Sequence, residues 1–257
     1  MKDTWTKGRI MVLILGLIVG ITLAFGMTVK AQAATCTTNA QFGECFAGSN
    51  PYVEQNVWNA GADPGWAQTL TASSVGHWTI NADMEAGNRS VISYPSIVQS
   101  TNDEPIADYS KIYGEFNAAL PANSGATDDY EAAFDIWLNG NCCTSPAGQE
   151  IMVWTNTRNQ TPAGSNTGVT WKDPTFGIVY DIWANSNNST VTFVAQTSKA
   201  ASDVNLLGLL QTVVANYSFN GDNELYQADY GYEICSTSGV SETFTVNGYA
   251  FYNTIKS

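Results

Sequence analysis

"GQEIMVW", residues 148–154, places one carboxylate inside a run that otherwise reads as a buried strand. Side chains alternate between the faces of a strand, so Ile151 and Val153 share one face while Glu150, Met152 and Trp154 share the other. The first face is core-like. The second joins an acid to a thioether and an indole, which suits the floor of a ligand groove better than a purely solvated surface. Two other strands repeat the pattern. In "YEAAFDIWL" (130–138), Phe134, Ile136 and Leu138 take one face, and Glu131, Ala133, Asp135 and Trp137 the other. In "YGYEICS" (230–236), Glu233 alternates with Gly231 and Cys235, opposite Tyr232 and Ile234.

Outward from these three runs the chain keeps the same character. Short alternating or β-rich stretches such as "HWTINAD", "SVISYPSI", "KIYGEFN", "FGIVYDIWA", "STVTFVAQT" and "ETFTVNGYAFYN" are divided by Gly, Asn, Ser, Pro and Asp. That punctuation predicts an all-β sandwich or barrel. One segment departs from it: "SDVNLLGLLQTVVANY" (202–217) spaces Leu206, Leu207, Leu210, Val213, Val214 and Tyr217 as a helix does, with Ser202 or Asp203 available as N-cap. The polar stretch "NTRNQTPAGSNTG" (156–168) reads as a loop after the Glu150 strand.

The N-terminus is expected to be a leader. Lys2, Lys7 and Arg9 precede an apolar run from Ile10 to Phe25, and "AQA" at 31–33 offers a small-residue cleavage site. Residues 1–33 are therefore expected to be a secretory signal peptide, with a retained membrane anchor as the alternative, and 34–257 a single domain. Removing Lys2, Lys7, Arg9, Lys30 and Asp3 leaves six basic against 22 acidic side chains, a net charge of about −16. Such a surface repels phosphate backbones and excludes nucleic acid as a partner. Five cysteines, Cys36, Cys45, Cys142, Cys143 and Cys235, leave at least one unpaired. Cys36 with Cys45 would close a short loop, but connectivity is not legible. The single His77 cannot build a His-based metal site, and no metal or cofactor is expected.

Six basic residues cannot neutralise three mid-strand acids together with the rest. Close carboxylates without basic partners push each other's pKa values apart, leaving one ionised and the other protonated near neutral pH. Glycosidic hydrolysis needs that division of labour, and in its retaining form the two groups stand about 5 to 5.5 Å apart.

At these residues the chain resembles a known family. "NVW" (56–58), "SYPSI" (93–97), "FDIWL" (134–138), "EIMVW" (150–154), "FVAQT" (193–197) and "YGYEI" (230–234) follow one another as in the endoglucanases of glycoside hydrolase family 12. The resemblance implies a β-jelly roll of two curved antiparallel sheets, one helix packed on the outer face, and an open cleft that takes β-1,4-glucans. By motif, Glu150 corresponds to the nucleophile, Glu233 to the acid/base and Asp135 to the acid beside the nucleophile. Asn56 and Trp58 match a glucosyl-holding pair, Met152 and Trp154 the cleft floor, and the loop with Pro162 and Gly164 the cord across one end of the cleft. The implied protein is a secreted, extracellular monomer, off the membrane once its leader is removed, whose partner is a β-glucan polysaccharide.

Three positions depart from the family pattern: Asn59 replaces a Gly after the Trp of "NVW", Ile234 and Cys235 replace an aromatic or Pro near the acid/base, and a family cysteine is absent near Trp66. Two rivals remain. One is a non-catalytic carbohydrate-binding jelly roll; the other is an enzyme of the same fold directed at xyloglucan, mixed-linkage glucan or xylan.

Overall fold

The computed structural model describes residues 35–122, 125–141, 144, 147–217 and 222–257. The expected leader with its cut after Ala33, and Cys142 and Cys143, lie outside the described residues. No helix among those residues is long and apolar enough to cross a membrane.

The strands begin with β1 (Cys36–Thr38), β2 (Glu44–Cys45), β3 (Tyr52–Glu54), β4 (Ala67–Ser74) and β5 (His77–Asp83). They continue with β6 (Ser96–Val98), β7 (Ser100–Pro105), β8 (Tyr109–Ala119), β9 (Asp129–Leu138) and β10 (Gln149–Arg158). Then come β11 (Ser165–Lys172), β12 (Val179–Ala184), β13 (Thr190–Ala195) and β14 (Ala201–Val204), the helix α1 (Leu206–Asn216), β15 (Glu224–Ser236) and β16 (Glu242–Ile255).

They form two sheets. The smaller runs β1-β4-β5-β16-β8-β14, and the larger runs β11-β12-β13-β10-β9-β15-β6-β3-β2 with β7 also on β15. Ladders between these strands are antiparallel except β10–β13, which is parallel. The two-sheet, one-helix architecture is the jelly roll that the sequence led us to expect.

Alternation explains the layering. Phe134, Ile136, Leu138, Ile151, Val153, Tyr230, Tyr232 and Ile234 turn inward to the main core between the sheets, as the period of two requires. Aromatic contacts cross the interface: Phe116 of the small sheet stacks on Tyr230 at 5.2 Å, and Trp78 meets Tyr232 edge-on at 5.8 Å. On the opposite face of the large sheet, Met152, Trp154 and Ala133 form a separate buried cluster. Burying a Met or Leu side chain contributes about 1.5–3 kcal/mol, so the large sheet is held by apolar packing on both faces, not one. The Cys36–Cys45 disulfide ties β1 of the small sheet to β2 of the large one.

Two elements differ from expectation. Residues 201–204 pair with β8 instead of starting the helix. The cap is therefore Asn205, whose side chain accepts a hydrogen bond from the Gly208 amide at 3.1 Å, a contact worth about 1 kcal/mol. Leu209 is buried and Val214 exposed, so the apolar stripe of α1 is rotated from the expected one; it continues the main core against β8. The loop read at 156–168 shrinks to residues 159–164, because β10 runs on to Arg158 and β11 begins at Ser165. Polar composition hid strand β11, whose side chains are mostly exposed.

Candidate active site

The cross-strand registers place the outward side chains of β10, β9 and β15 in rows. Glu150, Trp137 and Gln227 form the first; Met152, Asp135 and Asp229 the second; Trp154, Ala133 and Gly231 the third. A bulge after Trp154 restores the alternation at Thr157, so the last row is Thr157, Glu131 and Glu233. Glu150 and Glu233 thus face the same side of one sheet, at opposite ends of a patch floored by Met152 and Trp154, with Asp135 on the strand between. Gly231 is required at its place: a Cβ there would lie 2.1 Å from the Pro95 carbonyl, where β6 closes on β15.

Electrostatics separate the acids. Glu150 is raised by burial, while the Thr190 hydroxyl, donating to its Oε2 at 3.0 Å, pulls it back toward ionisation. Glu233 is pushed up to about 8, first by burial and then by the charge of Glu150. Asp135 is raised well above the carboxylate range by burial and then by Glu150, Asp229 and Glu233; the Trp137 indole N–H, donating to its Oδ2 at 3.2 Å, opposes this. Asp229 is pushed up to about 8 by burial, against hydrogen bonds from the Gln99 amide and the Gln227 side chain. Glu131 is fully buried and raised well above its ordinary value, by burial and then by Glu233. At the edge of the patch Arg89 pairs with Asp129.

These raised values fix a pH dependence of stability. Unfolded carboxyls titrate near about 4, so between pH 4 and 8 the native chain binds more protons than the unfolded chain. Stability therefore falls as pH climbs through that window. Thermal unfolding is expected several degrees higher at pH 5 than at pH 8.5, with a shallower slope in Asp229→Asn. A melting temperature that rises with pH would contradict this assignment.

The other expected site residues divide. Asn56 takes a positive φ of 43°, and its carbonyl accepts from the Tyr94 amide at 2.9 Å; Trp58 nearby is 52% exposed. The Ser93 and Ile92 amides in turn donate to the Ile234 carbonyl, so this segment borders the Glu233 end of the patch. Met152 and Trp154 lie in the rows between Glu150 and Glu233. Pro162 is buried in the 159–164 connection, where Gln160 donates to the Cys235 thiol at 3.1 Å. That connection lies beside the end of β15.

Several groups at this face were not singled out from sequence. Asp229 shares the alternation of Glu233, so period two alone would have found it; Glu131 was placed on the Asp135 face but given no role. Tyr94 lies among the acids, its hydroxyl donating to the Ala133 carbonyl at 3.2 Å, and burial with the charges of Asp135, Asp229, Glu131 and Glu233 raises its pKa far above the phenol range. Thr190 had no local signal, because its place beside Glu150 comes from the parallel β10–β13 register.

No protein-family model matches the chain. Endoglucanase S of Pectobacterium parmentieri is 25% identical over 235 residues, 84% of this chain and 87% of that protein. Endoglucanase 3 of Trichoderma harzianum, from family 12, superposes with a TM-score of 0.73 at 18% identity, over 88% of this chain and 100% of its own. The family 12 xyloglucanase of Bacillus licheniformis does so at 0.70 and 18%, over 86% and 100%. The fold is that of the family 12 glycoside hydrolases. Within it, the departures have local explanations. Asn59 sits at φ −115° and caps a short 3-10 turn, a conformation that does not need Gly, and its side chain donates to the Val91 carbonyl at 2.9 Å. Ile234 belongs to the main core, Trp66 packs against that core, and Cys235 is a buried free thiol.

Proposed function

We propose that this protein is a secreted, retaining endo-β-1,4-glucanase. In this reading Glu150 attacks the anomeric carbon, and Glu233 protonates the departing oxygen, then activates water to release the covalent intermediate. Asp135 orients Glu150 and tunes its charge. A glucan chain would cross the strands over Met152 and Trp154, with Trp58 and Asn56 receiving a sugar ring on the non-reducing side. The observation that carries the reading is the pair of acids facing one side of the sheet in unequal settings: Glu150 is held by a hydroxyl donor, and Glu233 is kept protonated to about pH 8. A binding module needs no such division, because stacking surfaces and neutral donors suffice to hold sugars.

The likeness to both an endoglucanase and a xyloglucanase makes xyloglucan the second substrate to weigh. Purified protein is expected to release new reducing ends from carboxymethylcellulose and mixed-linkage β-glucan and to lower their viscosity early, as internal cutting does. Faster cleavage of xyloglucan than of both would favour the second substrate. Glucan binding without any reducing ends would end the enzymatic reading.

A further inference from the structure

Glu131 is unlike the other acids of the patch. It is fully buried, and among the described residues no side-chain hydroxyl or cation donates to either of its oxygens; the one donor that bears on it is the backbone amide of Glu233. In the β9–β15 register it lies directly opposite Glu233; in the β10–β9 register its neighbour is Thr157, whose hydroxyl is likewise buried without a partner. The titratable groups around it are acidic or neutral: Asp129 and Asp135 on its own strand, Glu233 and Cys235 on β15, and Tyr94 over the strand. The nearby cations are engaged elsewhere, Arg89 with Asp129 and Arg158 with the Gly125 carbonyl.

An ionised carboxylate with one amide donor and no cation, facing other acids in such a place, is strongly penalised. The state that fits is the neutral acid, and a neutral acid is a hydrogen-bond donor. The acceptor it faces across the ladder is the carboxyl of Glu233.

We propose that Glu131, held as the neutral acid, is a positioning residue that donates a hydrogen bond to Glu233 and aims that carboxyl into the cleft. The proposal rests on reading Glu233 as the acid/base. A donor favours the ionised acceptor, so Glu131 opposes the burial and the Glu150 charge that hold the proton on Glu233. Its benefit falls on the second half of the reaction, in which ionised Glu233 must take a proton from water.

The test compares pH profiles of kcat/KM and kcat for the wild type, Glu131→Gln and Glu131→Met, with the Glu233 carboxyl titrated by NMR in glutamate-labelled samples. Glutamine keeps a neutral donor, so the basic limb and the Glu233 titration should stay at their wild-type positions. Methionine removes the donor; both should move up by about one pH unit, and glycosyl-enzyme should accumulate as its hydrolysis slows. A glutamine variant whose basic limb and Glu233 titration move down would show that Glu131 is ionised and overturn the proposal. So would a folded methionine variant that leaves both in place. The NMR arm is independent of turnover: if Glu233→Gln kept near-normal activity, the functional reading would fail while the titration still judged the hydrogen bond.

Discussion

Glu150→Ala is expected to lower turnover of soluble β-glucan by about 10⁴-fold or more, the scale of losing a covalent nucleophile. The strand itself should survive. β10 is fixed by ladders to β9 and β13 and by Ile151 and Val153 in the main core, none of which uses the carboxylate. Removing a buried charge also relieves Asp135 and Glu233, both raised by Glu150, so their pKa values should fall in the variant. Added azide provides the decisive reading. A small anion in the space left by Glu150 attacks the sugar from that side, so rescued activity should yield the glycosyl azide of inverted anomeric configuration. Near-normal turnover in a folded Glu150→Ala protein would remove Glu150 from the mechanism, and with it the reading of the cleft.

Glu233→Gln should cost about 10²–10⁴-fold on unactivated glucan, the usual worth of a positioned general acid/base. The loss should shrink on aryl glycosides whose leaving groups need no proton. The sign of the pH effect follows from the same residue. In its proposed role as acid it must be protonated, and its pKa is pushed up to about 8, so wild-type kcat/KM should decline as pH rises through that region. This limb belongs to the coupled carboxyls rather than to one site alone, yet it should vanish in Glu233→Gln. A variant that keeps the limb would assign it to another group, with Asp229 next in line because it too is pushed up to about 8.

The acid-bearing strands were legible because each carries its message locally. With a period of two, core residues and acids separate onto opposite faces, and the structure places Phe134, Ile151 and Tyr232 inward with Asp135, Glu150 and Glu233 outward as the pattern demands. The edges were harder to read. Strand β11 is polar and exposed, so no hydrophobic alternation announces it. The start of α1 moved because residues 201–204 gained ladder bonds to β8, a tertiary reward that local propensity does not register. Likewise, Glu131 was seen to share a face with Asp135, but its place opposite Glu233 depends on the pairing of β9 with a strand almost a hundred residues away.

By itself, then, the order of residues determined which side chains could share a face, because strand geometry is repetitive and local. It determined the all-β class, the one helix, and the acids offered to one surface. Only the tertiary structure decided which faces meet. Register across β13, β10, β9 and β15 brought Thr190 to Glu150 and Glu131 to Glu233, and exclusion of water there moved carboxyl pKa values far from their solution range. Proton affinity depends on surroundings assembled from distant parts of the chain, and no local pattern of residues encodes it.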